Sequence, residues 1–286
     1  FNEIKQEALF YWKWMVIGAI LPPITSNVMQ VVLGMLDMFD ALAVFGVAMS
    51  LSSLVRIPAT SFKSSTSPSF MKKTDEKDVG YALADSIRYM LLFAIFIAVL
   101  IHFVSKPLII TFYTPKYMDA ATIFEILAYG IAFNMIFVGL RPAAVSIKKP
   151  YLNIFADSVN LVAMFVIALL LVPRYAALGA AIALTFGLVA GTLFGALTIY
   201  KSIRYMFPFK TLIRCTIASI VSLLPLQLVK IGMLQTLILN VCVGTMLYVI
   251  LLYVLREIRE DDIKLFRSSV KIITDYIGNT LKFKNK

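Results

Sequence analysis

Long windows almost free of charge recur along the chain, separated by short polar or proline-bearing connectors. Eight of them stand out, roughly 14–36, 41–62, 83–104, 121–147, 152–173, 178–200, 211–229 and 234–255. Each is close to the ~20 residues a helix needs to cross a hydrocarbon core of ~30 Å. The pattern therefore predicts an all-α integral membrane protein with about eight transmembrane helices. Pro22-Pro23 fall inside the first window, and Pro58 and Pro142 lie near the inner ends of the second and fourth. A proline frees the carbonyl one turn earlier, and in a membrane that group must be satisfied by a neighbouring helix or by water. Such breaks read either as plain kinks or as part of a transport path. Gly187, Gly191 and Gly195 recur every four residues on one face of the sixth window, which lets another helix approach closely. After Leu255, Ile263, Phe266, Val270, Ile273 and Ile277 share a face beside Lys264, Arg267 and Lys271, as expected of a helix lying on the anionic inner leaflet.

Composition agrees with the pattern. Hydrophobic residues make up 60% of the chain and charged residues 15%, whereas a soluble domain has about 45–50% and about 25%. The net charge of +11 would suit a nucleic-acid partner if it were clustered on a soluble surface, but its distribution reads as membrane topology. With the N-terminus inside, the outer connectors hold only Lys106, Lys116, Arg174 and Lys230, and Arg56 lies within the second window. The remaining 22 of 27 Lys and Arg fall on the inner side. An odd number of spans would scramble that division. The expected location is thus the cytoplasmic (plasma) membrane, with both termini cytoplasmic, membrane lipids as neighbours and no nucleic acid. The chain begins at Phe1, without an apolar signal region and cleavage site, and reads as lacking its start.

Candidate chemistry is sparse. His102 is the sole histidine, near the outer end of the third window, and it would have to carry any metal site or nucleophile–base arrangement alone. Cys215 and Cys242 lack zinc or redox spacing and read as small packing residues. No GxxxxGK[ST] phosphate loop occurs. We therefore expect no catalytic residue, no metal and no cofactor. Polar groups inside the windows are more informative, because a charge at membrane depth usually faces a cavity or a partner. Arg56, Asp85, Glu125, Asn134, Arg141, Asp157 and Asn160 are the candidates; Arg56 and Asp157 lie deepest, and Asp85, Glu125 and Arg141 lie nearer the span ends. Ser50, Ser52, Ser53, Thr60 and Ser61 make the Arg56 helix unusually polar, as suits a wall facing water.

Several stretches carry a resemblance. PRYAALGAAIA, from Pro173 to Ala183, looks like a loop between the fifth and sixth helices of a transporter lobe, with Ala176 where a glycine is usual. PLIITFYTPKYMDAATIFEILAYG, from Pro107 to Gly130, resembles an external segment and the helix after it, without the usual glycine before Lys116-Tyr117. Asp37, the small-residue run Val47 to Leu54, Ile57-Pro58 and Pro68 fit the first hairpin of such a lobe. Together they resemble the polysaccharide biosynthesis protein family, the O-antigen flippase-like branch of the multidrug/oligosaccharidyl-lipid/polysaccharide exporter superfamily.

That resemblance implies two six-helix MATE-like lobes followed by two further helices. This chain would match one lobe (1–210), the added pair (211–255) and a basic cytoplasmic tail (256–286), with the N-terminal lobe as a missing partner. It also implies alternating access, driven by an ion or the membrane potential, that moves a polyprenyl-pyrophosphate-linked oligosaccharide to the outer leaflet. Arg56, Arg141, Asp157 and Asn160 are the expected substrate-binding residues, since guanidinium can pair with pyrophosphate oxygens in bidentate fashion. A cation-coupled multidrug antiporter and a non-transporting membrane anchor or glycosyltransferase subunit are the rival readings. The first is disfavoured by the added pair of spans, the enzyme by its missing acid–base cluster and the anchor by its buried charges.

The charge distribution makes a topological prediction. Single cysteines introduced near Lys72, Lys148 and Lys210 should resist an impermeant thiol reagent in intact cells. Labelling at position 72 would overturn the orientation.

Overall fold

The computed structural model describes residues 2–73, 75–228 and 233–257, and among them no strand occurs. The helices are α1 (Asn2–Met35), α2 (Phe39–Val55), α3 (Ile57–Met71), α4 (Glu76–Phe112), α5 (Asp119–Ile136), α6 (Leu140–Ser146), α7 (Tyr151–Ser202), α8 (Phe209–Leu223), α9 (Met233–Ile238) and α10 (Gly244–Val254). A π-helical turn, Leu239–Val243, joins the last two. Six stretches are long and apolar enough to cross a membrane, namely Val16–Met35, Phe39–Met71, Glu76–Phe112, Asp119–Ser146, Tyr151–Ser202 and Phe209–Leu226, and Leu239–Val254 is a shorter apolar helix. The protein is a multi-pass membrane protein. The amphipathic tail expected beyond Arg256 lies outside the described residues, apart from Glu257.

The fifth and sixth expected spans are the two arms of α7. As one straight helix its 52 residues would extend about 78 Å, more than twice a bilayer core. Ala176 (φ 46, ψ −120) reverses the chain instead. A Cβ on Gly187 would fall 2.6 Å from Asn160 Oδ1, and one on Gly191 2.7 Å from the Ala156 carbonyl. Contacts that descend from 160 to 156 as the other arm rises from 187 to 191 mean that the arms run antiparallel. The glycine stripe therefore packs as expected, and its partner is the preceding arm of the same helix.

The other expected spans differ at their breaks. Pro58 has no N–H for the Leu54 carbonyl, so the second span splits into α2 and α3 at Arg56. Pro142 leaves the Val138 carbonyl without its donor in the same way, and the fourth span splits into α5 and α6 across 137–139. α5 lies at the centre, packed against α2, α4 and α7. Its Leu127 and Ala128 are fully buried, joining Met29, Phe45, Met164 and Leu184 in one core, while Met135 joins Leu83, Ile87 and Met90 in a second.

A third cluster fixes the C-terminal helices to α4. Phe96 stacks on Tyr248 with centroids 4.3 Å apart, and the Tyr248 hydroxyl donates to the Leu92 carbonyl at 2.7 Å. At the end of this seam Glu257 Oε1 accepts from Arg88 Nε (3.3 Å) and Thr211 Oγ1 (2.7 Å), and Oε2 from Arg214 Nη1 (3.0 Å). Burial alone would raise the Glu257 carboxyl, but the bonds from Thr211, Arg214 and Arg88 outweigh it and hold it below the usual carboxylate range. Arg88, which the sequence counts as a connector charge, is buried at 3% exposure in this clamp. Cys215 is buried as expected of a packing residue, whereas Cys242 is exposed.

Two predictions test these contacts. The left-handed φ of Ala176 strains a residue that carries a Cβ, so Ala176→Gly should stabilise the protein by about 1 kcal/mol. Gly191→Leu should lower the folded yield, and an unchanged melting temperature in the Ala176→Gly protein would mean that the turn stores no strain. Glu257→Ala removes the carboxylate that Arg88, Thr211 and Arg214 share and should destabilise by about 1–3 kcal/mol in thermal melting. Because the folded-state pKa is depressed, the clamp contributes above the ordinary carboxylate range and fades as the pH falls through the folded value.

Candidate functional site

The helix breaks converge on one cavity of about 160 Å³. α1 brings Pro22, Thr25 and Ser26; the α2–α3 break brings Arg56; α5 brings Asn134, the α5–α6 break Phe137 and α6 Arg141. The first arm of α7 brings Asn153, Asp157 and Asn160, and the second Gly191, Thr192 and Gly195. All four substrate-binding residues expected from the sequence, Arg56, Arg141, Asp157 and Asn160, thus line the same space.

Local structure explains how each is presented. The prolines of α1 interrupt its hydrogen-bond ladder, and short side chains bond to the carbonyls nearby: Thr25 Oγ1 to Leu21 (2.9 Å), Ser26 Oγ to Pro22 (2.7 Å) and Asn27 Nδ2 to Pro23 (2.8 Å). Arg56 occupies the residue between two helices, so its side chain leaves at a bend. Asn153, Asp157 and Asn160, four and three residues apart, share one face of their helix. The close approach at Gly187 and Gly191 then sets that face beside Thr192.

The charges are unevenly matched. Arg141 Nη2 donates to Asp157 Oδ1, and Asn153 Nδ2 donates to the Arg141 carbonyl at 3.2 Å. Asn134 Nδ2 donates to Thr192 Oγ1 at 2.7 Å. The half-buried Arg56 has no hydrogen-bond or ion-pair partner among the described residues. Lys63, two turns along α3, lies within electrostatic reach of both Arg141 and Asp157. Asp157 Oδ2 and Asn160 Oδ1 are buried without a partner among the described residues. The cavity therefore offers more cation than its one carboxylate neutralises, together with two buried acceptors. It can hold an anion on its guanidinium groups, with the Lys63 ammonium within electrostatic reach.

Other sequence candidates lie elsewhere. Glu125 accepts from Ser105 Oγ and lies 3.5 Å from His102 Nδ1, which in turn is 3.2 Å from the Tyr129 hydroxyl. His102 is thus a partnered, largely exposed histidine on α4. Asp85 does not line the cavity. Asn134 does, while Lys63, Asn153 and Thr192 were not singled out by sequence. The Asn153–Asp157–Asn160 spacing was legible; Lys63 was hidden among the charges of a connector. Among the described residues no group of three His, Cys, Asp or Glu side chains is placed to hold a metal ion.

Comparison with known proteins bears on this fold. No protein-family model matches the chain. Over 167 residues it is 27% identical to the uncharacterized membrane protein MJ1068 of Methanocaldococcus jannaschii, a match covering 56% of this chain and 31% of that protein. Among solved structures it is similar to the lipid II flippase MurJ in an inward closed conformation, with a TM-score of 0.65 and 20% identity over 80% of this chain and 52% of that one. The chain spans about a third of the curated relative and about half of the flippase. What the likeness shows is the fold, and on that footing the chain has a MurJ-like, all-helical membrane fold.

Proposed function

We propose that this chain is part of a flippase that moves a polyprenyl-pyrophosphate-linked oligosaccharide across the cytoplasmic membrane for surface polysaccharide synthesis. The observation that carries this reading is Arg56, a cation inside a membrane span with no partner among the described residues, lining a cavity that already contains an Arg141–Asp157 pair. A charge at membrane depth costs a few kcal/mol by insertion scales, so an unpaired arginine marks a place where an anionic ligand spends part of the cycle. Arg56 and Arg141 bind the pyrophosphate, Lys63 adds positive potential from nearby, and Asp157 and Asn160 line the space for the adjoining sugar. Similarity to a lipid II flippase supports a lipid-linked substrate over a soluble drug.

The cycle follows from the electrostatics. The inward-facing cavity takes up the headgroup while the tail stays in lipid. Rocking of this lobe, 1–210, against a second one exposes the headgroup to the other side, and an ion gradient or the membrane potential resets the empty form. The C-terminal pair, 211–255, sets this reading apart from a cation-coupled multidrug antiporter.

In the complete transporter, Arg56→Ala should abolish export of the lipid-linked saccharide at normal membrane abundance. Arg56→Lys should restore it only in part, because an ammonium lacks the bidentate fork. Wild-type export by Arg56→Ala would sink the proposal.

A further inference from the structure

Away from the cavity, three donor atoms meet toward the end of α4 that leads into α5. His102 Nδ1 lies 3.5 Å from Glu125 Oε2 and 3.2 Å from the Tyr129 hydroxyl. Glu125 and Tyr129 are four residues apart, so α5 presents both oxygens on one face, and α4 brings the ring nitrogen to them. The carboxylate is held from behind: the fully buried Ser105 donates to Glu125 Oε1, which leaves Oε2 for the histidine. The imidazole is 59% exposed while Glu125 is largely covered, so the cluster opens on the histidine side. None of these residues lines the cationic cavity.

We propose that His102 Nδ1, Glu125 Oε2 and the Tyr129 oxygen form a site for a divalent transition-metal ion of the zinc class, with water as its fourth ligand. The spacing carries the inference. Bonds of about 2.0–2.1 Å in a tetrahedral site put neighbouring ligand atoms about 3.3–3.4 Å apart. The two separations from Nδ1 bracket that edge, whereas a charge-assisted hydrogen bond from nitrogen to carboxylate is about 2.7–2.9 Å. A hydrogen bond also serves the group poorly, because Nδ1 has either one proton or one lone pair. As a donor it is shared between two oxygens, and as an acceptor it sets a lone pair against the carboxylate. An ion between the three atoms takes a lone pair from each, and the phenol proton passes to solvent as the oxygen binds. One imidazole and two oxygens suit zinc or copper; calcium and magnesium take six or more oxygen ligands. Ser105 supplies the hydrogen bond that a ligating carboxylate usually receives, and the open side of the ring leaves Nε2–H to water. Lys106, one turn beyond His102, is exposed and carries its charge on a long arm that extends into water. The bound ion joins α4 to α5, and the site does not depend on the flippase reading.

The test uses the full chain, purified without a polyhistidine tag and held in phosphatidylcholine nanodiscs. It is titrated with cobalt(II), whose visible absorption reports tetrahedral coordination, and then with zinc(II) as competitor. Cobalt should bind saturably, one ion per chain, with a tetrahedral spectrum and a tyrosinate band, and zinc should bleach the cobalt bands. His102→Ala and Glu125→Gln should each weaken binding by at least about tenfold, and Tyr129→Phe should remove the tyrosinate band. Zinc should also raise the melting temperature of the unmodified protein and leave that of His102→Ala where it is. The melting transition of His102→Ala without metal shows that the variant is folded, and Glu125→Gln gives a second reading in which the side chain keeps its shape. Binding that survives His102→Ala and Glu125→Gln, or a cobalt spectrum of the weak octahedral kind without a tyrosinate band, would sink the proposal and leave a hydrogen-bonded cluster.

Discussion

A backbone polar group left unpaired in hydrocarbon costs several kcal/mol, so a membrane helix gives up its ladder only where side chains, neighbouring protein or water take over. This chain breaks its ladder at Pro22-Pro23, at Pro58, at Pro142 and at Ala176. The first three converge on one polar cavity, and beside the first the hydroxyl and amide groups of Thr25, Ser26 and Asn27 bond back to the Leu21, Pro22 and Pro23 carbonyls. The fourth folds a 52-residue helix back on itself, which brings the arm carrying Asp157 and Asn160 against the arm carrying Thr192. Much of the placement of polar atoms in the site follows from where backbone bonds could be surrendered.

Two sets of buried charge show how differently the same physics can be used. Around Glu257 both carboxylate oxygens accept from surrounding donors, and the result is a clamp between α4, α8 and the end of α10. In the cavity the accounts are open: one carboxylate faces Arg141 with Lys63 within reach, Arg56 has no partner, and two acceptors are unfilled among the described residues. A satisfied network rigidifies, whereas a buried polar group without a partner carries its full desolvation cost. The contrast, more than the presence of charge alone, separates the fastening of the C-terminal helices from the candidate binding site.

Small residues link these features mechanically. Apolar burial gives little drive for one helix to join another inside a bilayer, so close packing and specific polar contacts hold the helices together. Gly187 and Gly191 let the α7 arms approach until a Cβ would collide with Asn160 and Ala156. Gly139 similarly sits where a Cβ would meet Ser86 at 2.4 Å, seating the α5–α6 break against α4.

Sequence alone determined that the chain crosses a membrane several times, because the length and charge of an apolar window are local properties that a bilayer reads directly. It also singled out Arg56, Arg141, Asp157 and Asn160, since an ionisable or amide group at membrane depth is conspicuous wherever its partners lie. The family resemblance leads one to expect a glycine where Ala176 stands, and the left-handed φ of Ala176 is a conformation that favours glycine. Only the tertiary structure decided that those four residues share one cavity, that Arg88 is a buried clamp residue and that Lys63 lies within electrostatic range of the Arg141–Asp157 pair. The reason is that hydropathy reports the solvent around a segment, whereas partnership depends on which helix face meets which, and residues as distant in sequence as Arg88 and Glu257 meet only through the packing of whole helices.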